Sequence, residues 1–126
     1  TLATVRYVRQ SRTPGSTELR RLEVALNHIQ QNFLNDLRIG EVAALLAMSE
    51  STFSRFFKLQ TGNTFTDHVI ELRVWMAKKL LKETNNPITE ICYEAGFSNI
   101  SNFNRAFLRK TGLRPREYRA AVRQFT

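Results

Sequence analysis

The chain has 126 residues, 42% of them hydrophobic, with one cysteine and a formal net charge of +8. This length and apolar content suffice for one core or two small ones, and a lone cysteine excludes a disulfide within the chain. No apolar run approaches the roughly 20 residues that span a bilayer, and the start has neither an initiator Met nor the apolar region of a signal peptide. The positive charge indicates a polyanionic partner, either nucleic acid or a membrane surface.

Residues 1–16 carry three arginines and no acid, and they include Pro14 and Gly15, which oppose helix and strand. We expect this segment to be a linker, or the tail of a removed N-terminal domain. The basic excess returns at the other end of the chain. Residues 87–126 hold seven basic groups against three acids, whereas residues 17–86 hold nine against eight.

Hydrophobic residues beyond this segment recur at helical spacing, and no sustained alternation predicts a strand. Thr17 is expected to cap a helix of about residues 18–32, with an apolar stripe of Leu19, Leu22, Leu26 and Ile29. Further helices are predicted at about 40–47, 51–61, 65–82, 88–95, 99–110 and 115–122. The predicted fold class is therefore all-α, with about seven helices.

An internal repeat relates residues 39–62 to residues 88–112. At an offset of 50 the matching pairs are Ser51/Ser101, Phe53/Phe103, Arg55/Arg105, Phe57/Phe107, Thr61/Thr111 and Gly62/Gly112. Each copy is predicted to be a short helix, a turn and a second helix that ends at a glycine in the left-handed conformation. Ala47 and Gly96 are small, as a close crossing of two helices requires. Two copies of this shape are helix-turn-helix units.

A pair of helical hairpins can also belong to a protein-binding solenoid. Solenoids, however, stack about three or more copies at periods nearer 34–45 residues, whereas here a long helix separates two copies. DNA binding is therefore the favoured interpretation. A helical protein-interaction module, contacting RNA polymerase or another protein with little DNA specificity, is the alternative.

The chain resembles the DNA-binding domain of the AraC/XylS transcription regulators, most specifically in its second half. The resemblance is carried by Gly96-Phe97, Phe103-x-Arg105-x-Phe107, Gly112-x-x-Pro115 and Tyr118-Arg119, together with Arg73, Ala77, Leu80, Leu81, Ile88 and Ile91. It covers about residues 20–120 of the chain. The departures are Cys92 for a small alanine, Leu108 for a common lysine, and Phe65-x-x-His68 for the Pro-x-x-Tyr of the first unit.

The repeat and the resemblance together imply a first helix-turn-helix subdomain over residues 17–64, a linker helix over 65–82 and a second subdomain over 83–126. The implied function is sequence-specific binding of double-stranded DNA at bacterial promoters, by a cytoplasmic, nucleoid-associated transcription activator. RNA polymerase, through its sigma or alpha subunit, is the further partner implied. A small-molecule effector would act only through a missing N-terminal domain, and the isolated domain is expected to be monomeric.

The second helix of each copy presents short polar side chains and an arginine opposite its phenylalanines. In the major groove an arginine can bond guanine O6 and N7 with two hydrogen bonds, and an asparagine can do the same for adenine. The predicted base contacts are Ser51, Thr52, Ser54, Arg55, Ile100, Ser101, Asn102, Asn104 and Arg105, with Ile100 against a thymine methyl. Each arginine could instead pair with a carboxylate, and the hydroxyl groups could be solvated or cap a helix.

The predicted helix over residues 65–82 would measure ~27 Å at ~1.5 Å per residue, against ~34 Å between successive major grooves on one side of B-DNA. It could hold two recognition helices a turn apart, with bending of the duplex. Its apolar faces are expected to include Trp75 in the core. The predicted DNA-backbone contacts are Arg73, Lys78, Lys79, Thr89, Arg109, Lys110, Arg114, Arg116 and Arg119, of which Arg119 could equally be structural.

The sequence gives no support for catalysis. Neither His28 nor His68 stands at a known nucleophile spacing from Cys92, and no HxxxH, CxxC, acidic cluster or glycine-rich phosphate loop is present. We therefore expect no enzyme activity, no cofactor and no metal site. A membrane-surface role would need one long basic amphipathic helix with an open apolar face, whereas here the apolar residues recur in several helices.

Overall fold

The computed structural model describes residues 15–124, which form seven α-helices and, over that span, no strand. These are α1 (Ser16–Asn32), α2 (Ile39–Leu45), α3 (Glu50–Thr61), α4 (Phe65–Glu83), α5 (Ile88–Glu94), α6 (Ile100–Thr111) and α7 (Pro115–Gln124). The all-α fold class is confirmed. Of the predicted N-terminal linker, residues 1–14 lie outside the described part of the chain, and Gly15 and Ser16 form the start of α1.

Helix α1 begins earlier than predicted. Gly15, in extended conformation, is its N-cap, and Thr17 lies inside the first turn, so the predicted cap at Thr17 is wrong. The helix buries four apolar residues, Leu22, Ala25, Leu26 and Ile29. Leu19 is only half-buried. The predicted stripe is therefore correct from Leu22 onwards, where it reaches the interior.

The chain divides into two compact units between Val69 and Ile70, inside α4. In the first unit, the Phe65 ring at the start of α4 packs against Phe53 of α3, with centroids 5.9 Å apart. In the second unit, later residues of α4 are buried with α5 and α6, among them Ala77 and Leu81. Each of the two ends of helix α4 therefore belongs to a core.

Each unit contains a helix that precedes its helix-turn-helix and buries apolar residues at the same spacing. In α1 these residues are Leu22, Ala25 and Ile29, and in α4 they are Val74, Ala77 and Leu81. The two sets are offset by 52 residues, whereas the first helices of the hairpins match at 49 and the second at 50. This change of offset explains why the sequence comparison missed that α1 and α4 are equivalent parts of the repeat.

Trp75 is 51% exposed, so the prediction that it lies in the core is wrong. Val74, the preceding residue, is buried instead, because the buried face of α4 continues from it to Ala77. The Lys79 ammonium lies 5.8 Å from the centroid of the Trp75 ring. This cation–π contact covers part of the exposed indole.

The turn inside each helix-turn-helix is a Schellman motif. Met48 donates its backbone N–H to the Ala43 carbonyl, and Phe97 donates to Cys92 in the same way. The residue before each donor is left-handed, with φ of 57° at Ala47 and 96° at Gly96. Ala47 is exposed, so a close helix crossing does not require a small residue here, and the left-handed conformation favours glycine, which only the second unit has.

The second helix of each pair ends as predicted. Gly62 after α3 and Gly112 after α6 have φ of 82° and 81°, which favours glycine because a Cβ is strained there. Their N–H groups donate to the carbonyls of Lys58 and Leu108, respectively. The glycines thus fix where α3 and α6 stop.

Candidate nucleic-acid interface

Helices α3 and α6 are amphipathic in the same way. Each buries two phenylalanines one turn apart, with ring centroids 5.7 Å apart in both the Phe53–Phe57 and the Phe103–Phe107 pair. The opposite face is polar and exposed in both helices, and it consists of Ser51, Thr52, Ser54, Arg55, Ser101, Asn102, Asn104 and Arg105. We call these the polar faces of α3 and α6. They contain all the predicted base contacts except Ile100, which is half-buried against the second core.

A side-chain N-cap fixes the start of each of these helices. Ser49 Oγ accepts from the Thr52 backbone N–H at 3.2 Å, and Asn99 Oδ1 accepts from that of Asn102 at 2.8 Å. The first turn of α3 contains an acid, Glu50, whereas that of α6 contains none. Because the helix dipole makes this end electropositive, α6 presents the more favourable end to an anion.

The arginine of each polar face is exposed. Within residues 15–124, neither Arg55 nor Arg105 is paired with a carboxylate, the structural alternative left open by the sequence. Arg105 Nη2 instead donates to Asn102 Oδ1, on the same face of α6. Since a guanidinium has five N–H donors, this bond leaves most of them available to a partner.

A groove of about 400 Å³ runs beside α6, at the starts of α5 and α7. Its lining is mainly apolar and consists of Ile88, Thr89, Ile100, Asn104, Arg105, Leu108, Arg114, Pro115 and Arg116. The groove therefore brings together three predicted base contacts (Ile100, Asn104 and Arg105) and three predicted backbone contacts. Its three guanidinium groups give it a positive rim.

The remaining predicted backbone contacts differ in their surroundings. Lys79 and Arg109 are exposed, whereas Arg73, Lys78 and Lys110 are half-buried. The Lys110 ammonium lies 3.8 Å from a Glu71 carboxylate oxygen, and Lys78 lies 5.9 Å from the Tyr118 ring centroid. These contacts hold Lys78 and Lys110 within their own unit, so they are less available to a phosphate than the exposed pair.

Arg119 has a structural position. Its Nε donates to the Leu81 carbonyl and its Nη2 to the Thr84 carbonyl, both at 3.1 Å, at the C-terminal end of α4. Arg123, which the sequence analysis did not single out, also donates to Thr84. Desolvation by burial, together with the nearby charge of Arg123, lowers the pKa of Arg119. This geometry favours the structural role that the sequence left open as the alternative for Arg119.

The residues considered for catalysis have structural surroundings. His28 Nε2 lies 2.9 Å from Glu41 Oε2, a contact that joins α1 to α2 and lowers the pKa of Glu41. Cys92 is fully buried, and burial raises the pKa of its thiol. In residues 15–124 no three His, Cys, Asp or Glu side chains are grouped as metal ligands would be. No helix of that span is long and apolar enough to cross a bilayer.

Comparison with known proteins identifies this arrangement. Residues 42–121 match the family model of a helix-turn-helix domain. The chain is 32% identical over 105 residues to the HTH-type transcriptional activator RhaS of Mannheimia succiniciproducens, an alignment that covers 83% of this chain and 39% of the relative. The chain spans about half the length, or less, of the curated relatives it matches.

Two solved structures share the fold. An AraC-type transcriptional regulator of Chromobacterium violaceum superposes with a TM-score of 0.74 at 26% identity, over 86% of this chain and 96% of that one. The DNA-binding domain of AdpA, solved in complex with a target DNA, gives a TM-score of 0.74 at 29% identity, over 82% and 93% of the two chains. The chain therefore belongs to the AraC/XylS family of helix-turn-helix transcription regulators and comprises its DNA-binding domain.

Proposed function

We propose that this chain binds double-stranded DNA sequence-specifically at a bacterial promoter, with α3 and α6 in successive major grooves of one duplex. The observation that carries the proposal is the pair of exposed arginines, Arg55 and Arg105, at matching positions of the two polar faces. Neither is paired with a carboxylate within residues 15–124. A guanidinium presented in this way suits the O6 and N7 acceptors of guanine.

The other members of the polar faces supply further base contacts. Asn104 can bond the N6 and N7 of adenine, and the hydroxyls of Ser51, Ser54 and Ser101 can bond donors or acceptors on base edges. Ile100, on the lining of the groove beside α6, is suited to the methyl group of thymine. Thr52 completes the set in α3, and the role of Asn102 is considered below.

The exposed cations around α6 would hold the phosphates. Arg114, Arg116 and Thr89, which line the groove beside α6, would contact the phosphates of one DNA strand. Lys79 and Arg109 are exposed and can add contacts, while Arg73, Lys78 and Lys110 would do so only by giving up part of their present surroundings. Such contacts set the register of the protein on the duplex and carry no sequence information.

In the full-length protein we propose that this domain activates transcription in the bacterial cytoplasm through contact with the sigma or alpha subunit of RNA polymerase. The relative RhaS, an HTH-type transcriptional activator, supports the activating role, while the polymerase contact follows from the family resemblance. An effector would act through the part of the protein beyond this domain. A protein-interaction module without DNA specificity is not favoured, because two matching polar faces with arginines suit base edges better than a protein groove.

Selection of bound duplexes from a random library, followed by footprinting of the selected site, tests the proposal. We expect an enriched, asymmetric sequence with two protected major grooves about 10 base pairs apart, from the repeat of the duplex. Recovery of no sequence preference would contradict specific binding. Protection of one groove alone would leave α3 or α6 without the role proposed for it.

A further inference from the structure

Arg105 is held by a neighbour on its own helix. Its Nη2 donates to Asn102 Oδ1, one turn earlier along the polar face of α6. The backbone N–H of Asn102 in turn donates to Asn99 Oδ1, so the residue that holds Arg105 lies in the capped first turn of the helix. The chain of contacts therefore runs from the N-cap Asn99 through Asn102 to the guanidinium.

We propose that Asn102 is a positioning residue: it fixes the direction of the Arg105 guanidinium and thereby sharpens the choice of base that Arg105 makes. The inference rests on the proposed function. An arginine side chain loses much rotamer freedom when it binds, and a side chain already held in place loses less. A guanidinium held in one direction also pairs poorly with a base whose acceptors lie elsewhere, which raises discrimination.

The bond to Arg105 changes the expected role of Asn102 itself. Recognition of adenine by an asparagine needs its side-chain oxygen to accept from N6 and its amide to donate to N7. In α6 the oxygen of Asn102 already accepts from Arg105. Asn104 has the same side chain on the same face and lies on the groove beside α6, so it is the better candidate for direct recognition.

Helix α3 lacks this device. Thr52 stands at the position that corresponds to Asn102, and its Oγ1 accepts from the Ser49 hydroxyl at 2.9 Å. Arg55, the counterpart of Arg105, is exposed and is not held by an asparagine one turn earlier. The two units therefore differ in whether an asparagine one turn earlier holds the arginine. We expect the second unit to discriminate more sharply between bases.

The test uses the 126-residue chain and the duplex obtained by selection. The base pair read by Arg105 is the one at which Arg105→Ala loses discrimination between the selected base and the other three. Asn102→Ala is expected to reduce discrimination at this same pair by about five- to tenfold, a part of what a bidentate contact supplies. Binding to an unrelated duplex should stay within about twofold of the parent, because the cap at Asn99 uses the backbone of residue 102.

Two further variants separate positioning from direct contact. Asn102→Asp keeps an oxygen at the same place and should restore most of the discrimination, whereas Asn104→Ala should change preference at a different base pair. If Asn102→Ala alters a second pair and leaves the Arg105 pair intact, or weakens all duplexes equally, the positioning role is overturned. If Arg105→Ala leaves discrimination unchanged at every base pair, Arg105 makes no specific base contact. The proposed function of Arg105 is then contradicted, and so is the positioning role of Asn102, which depends on it.

Discussion

The imidazole of His68 packs edge-on against Phe57, with ring centroids 5.5 Å apart, much as the Tyr118 ring packs against Phe107 at 5.4 Å. His68 and Tyr118 lie 50 residues apart, at equivalent positions of the two units. The first unit therefore keeps the aromatic contact of the family pattern with a titratable ring. His68 is 4% exposed, and this desolvation lowers its pKa to about 4.

Acidification should therefore destabilise the first unit. The folded state holds His68 neutral, with a pKa of about 4, while the unfolded chain has an ordinary value near 6.5, so the unfolded state binds more protons between these values. The free energy of unfolding is highest above pH 6.5 and decreases as the pH falls toward 4. The decrease is about 2 kcal/mol at pH 5. Urea unfolding at a series of pH values measures it.

The substitution His68→Phe keeps an aromatic ring and removes the titration, so it should flatten the dependence between pH 6.5 and 5. The parent protein, measured beside it at the same pH values, is the reference. An unchanged slope in His68→Phe would assign the acid sensitivity to other groups.

Arg105→Ala should cost ~1–3 kcal/mol of binding to the selected duplex and relax specificity at one base pair. Arg55→Ala should cost less, because Arg55 is not held in place in the way that Arg105 is. Competition gel shifts with singly substituted duplexes measure both effects. The matched control is Arg109→Ala, one turn further along α6 and exposed, which should weaken all duplexes alike. A uniform loss in Arg105→Ala would instead make Arg105 a phosphate contact.

The cations beside α6 should be visible in the salt dependence of binding. With about six phosphates neutralised, log K is expected to fall with log salt at a slope near −5. Replacing Arg114 and Arg116 together by glutamine should make this slope shallower by about 2, since each phosphate contact contributes about 1. Asn104→Ala should leave the slope unchanged. If the double variant keeps the slope of the parent, Arg114 and Arg116 do not contact phosphates.

The sequence predicts the cores of the two units well because two independent patterns agree there. Phe53 and Phe57 recur at helical spacing, and Phe103 and Phe107 repeat them 50 residues later, so a helix and its buried face are specified twice. All four are fully buried. The helical spacing and the repeat also predict the two polar faces, since residues opposite the buried stripe of a helix must face solvent or a partner.

The pattern fails where neighbouring residues are alike or where contacts are distant. Val74 and Trp75 are both apolar, and Trp75 is the one predicted to lie in the core, although Val74 completes the spacing of α4. The bond from Arg119 to Leu81 joins residues 38 apart, a separation that no local pattern encodes. Asn102 and Arg105 are three residues apart in one helix, so the sequence shows that their side chains can meet. Which atoms form the hydrogen bond depends on the rotamers of both side chains, which the sequence does not specify.

The left-handed turn residues allow a stability prediction of opposite sign in the two units. Ala47 has φ of 57°, a conformation that costs an L-residue roughly 1–2 kcal/mol, so Ala47→Gly relieves this strain. The more flexible unfolded chain of the glycine variant lowers the free energy of unfolding by ~0.5–1 kcal/mol. The net effect should be neutral or stabilising, by up to ~1 kcal/mol. Gly96→Ala imposes a comparable strain at φ of 96° but also restricts the unfolded chain, so the net effect should be a destabilisation of up to ~1 kcal/mol.

Ala44→Gly is the control for these two variants, because Ala44 is exposed and lies inside α2, where glycine should destabilise by ~1 kcal/mol. Thermal and urea unfolding of the four proteins rank them. If Ala47→Gly destabilises as much as Ala44→Gly does, residue 47 behaves as a helical residue, and the Schellman motif does not end α2 in solution. If Ala47→Gly is neutral or stabilising while Gly96→Ala destabilises, both turns hold a left-handed residue in solution, and the first unit carries a strain at Ala47 that glycine removes from the second.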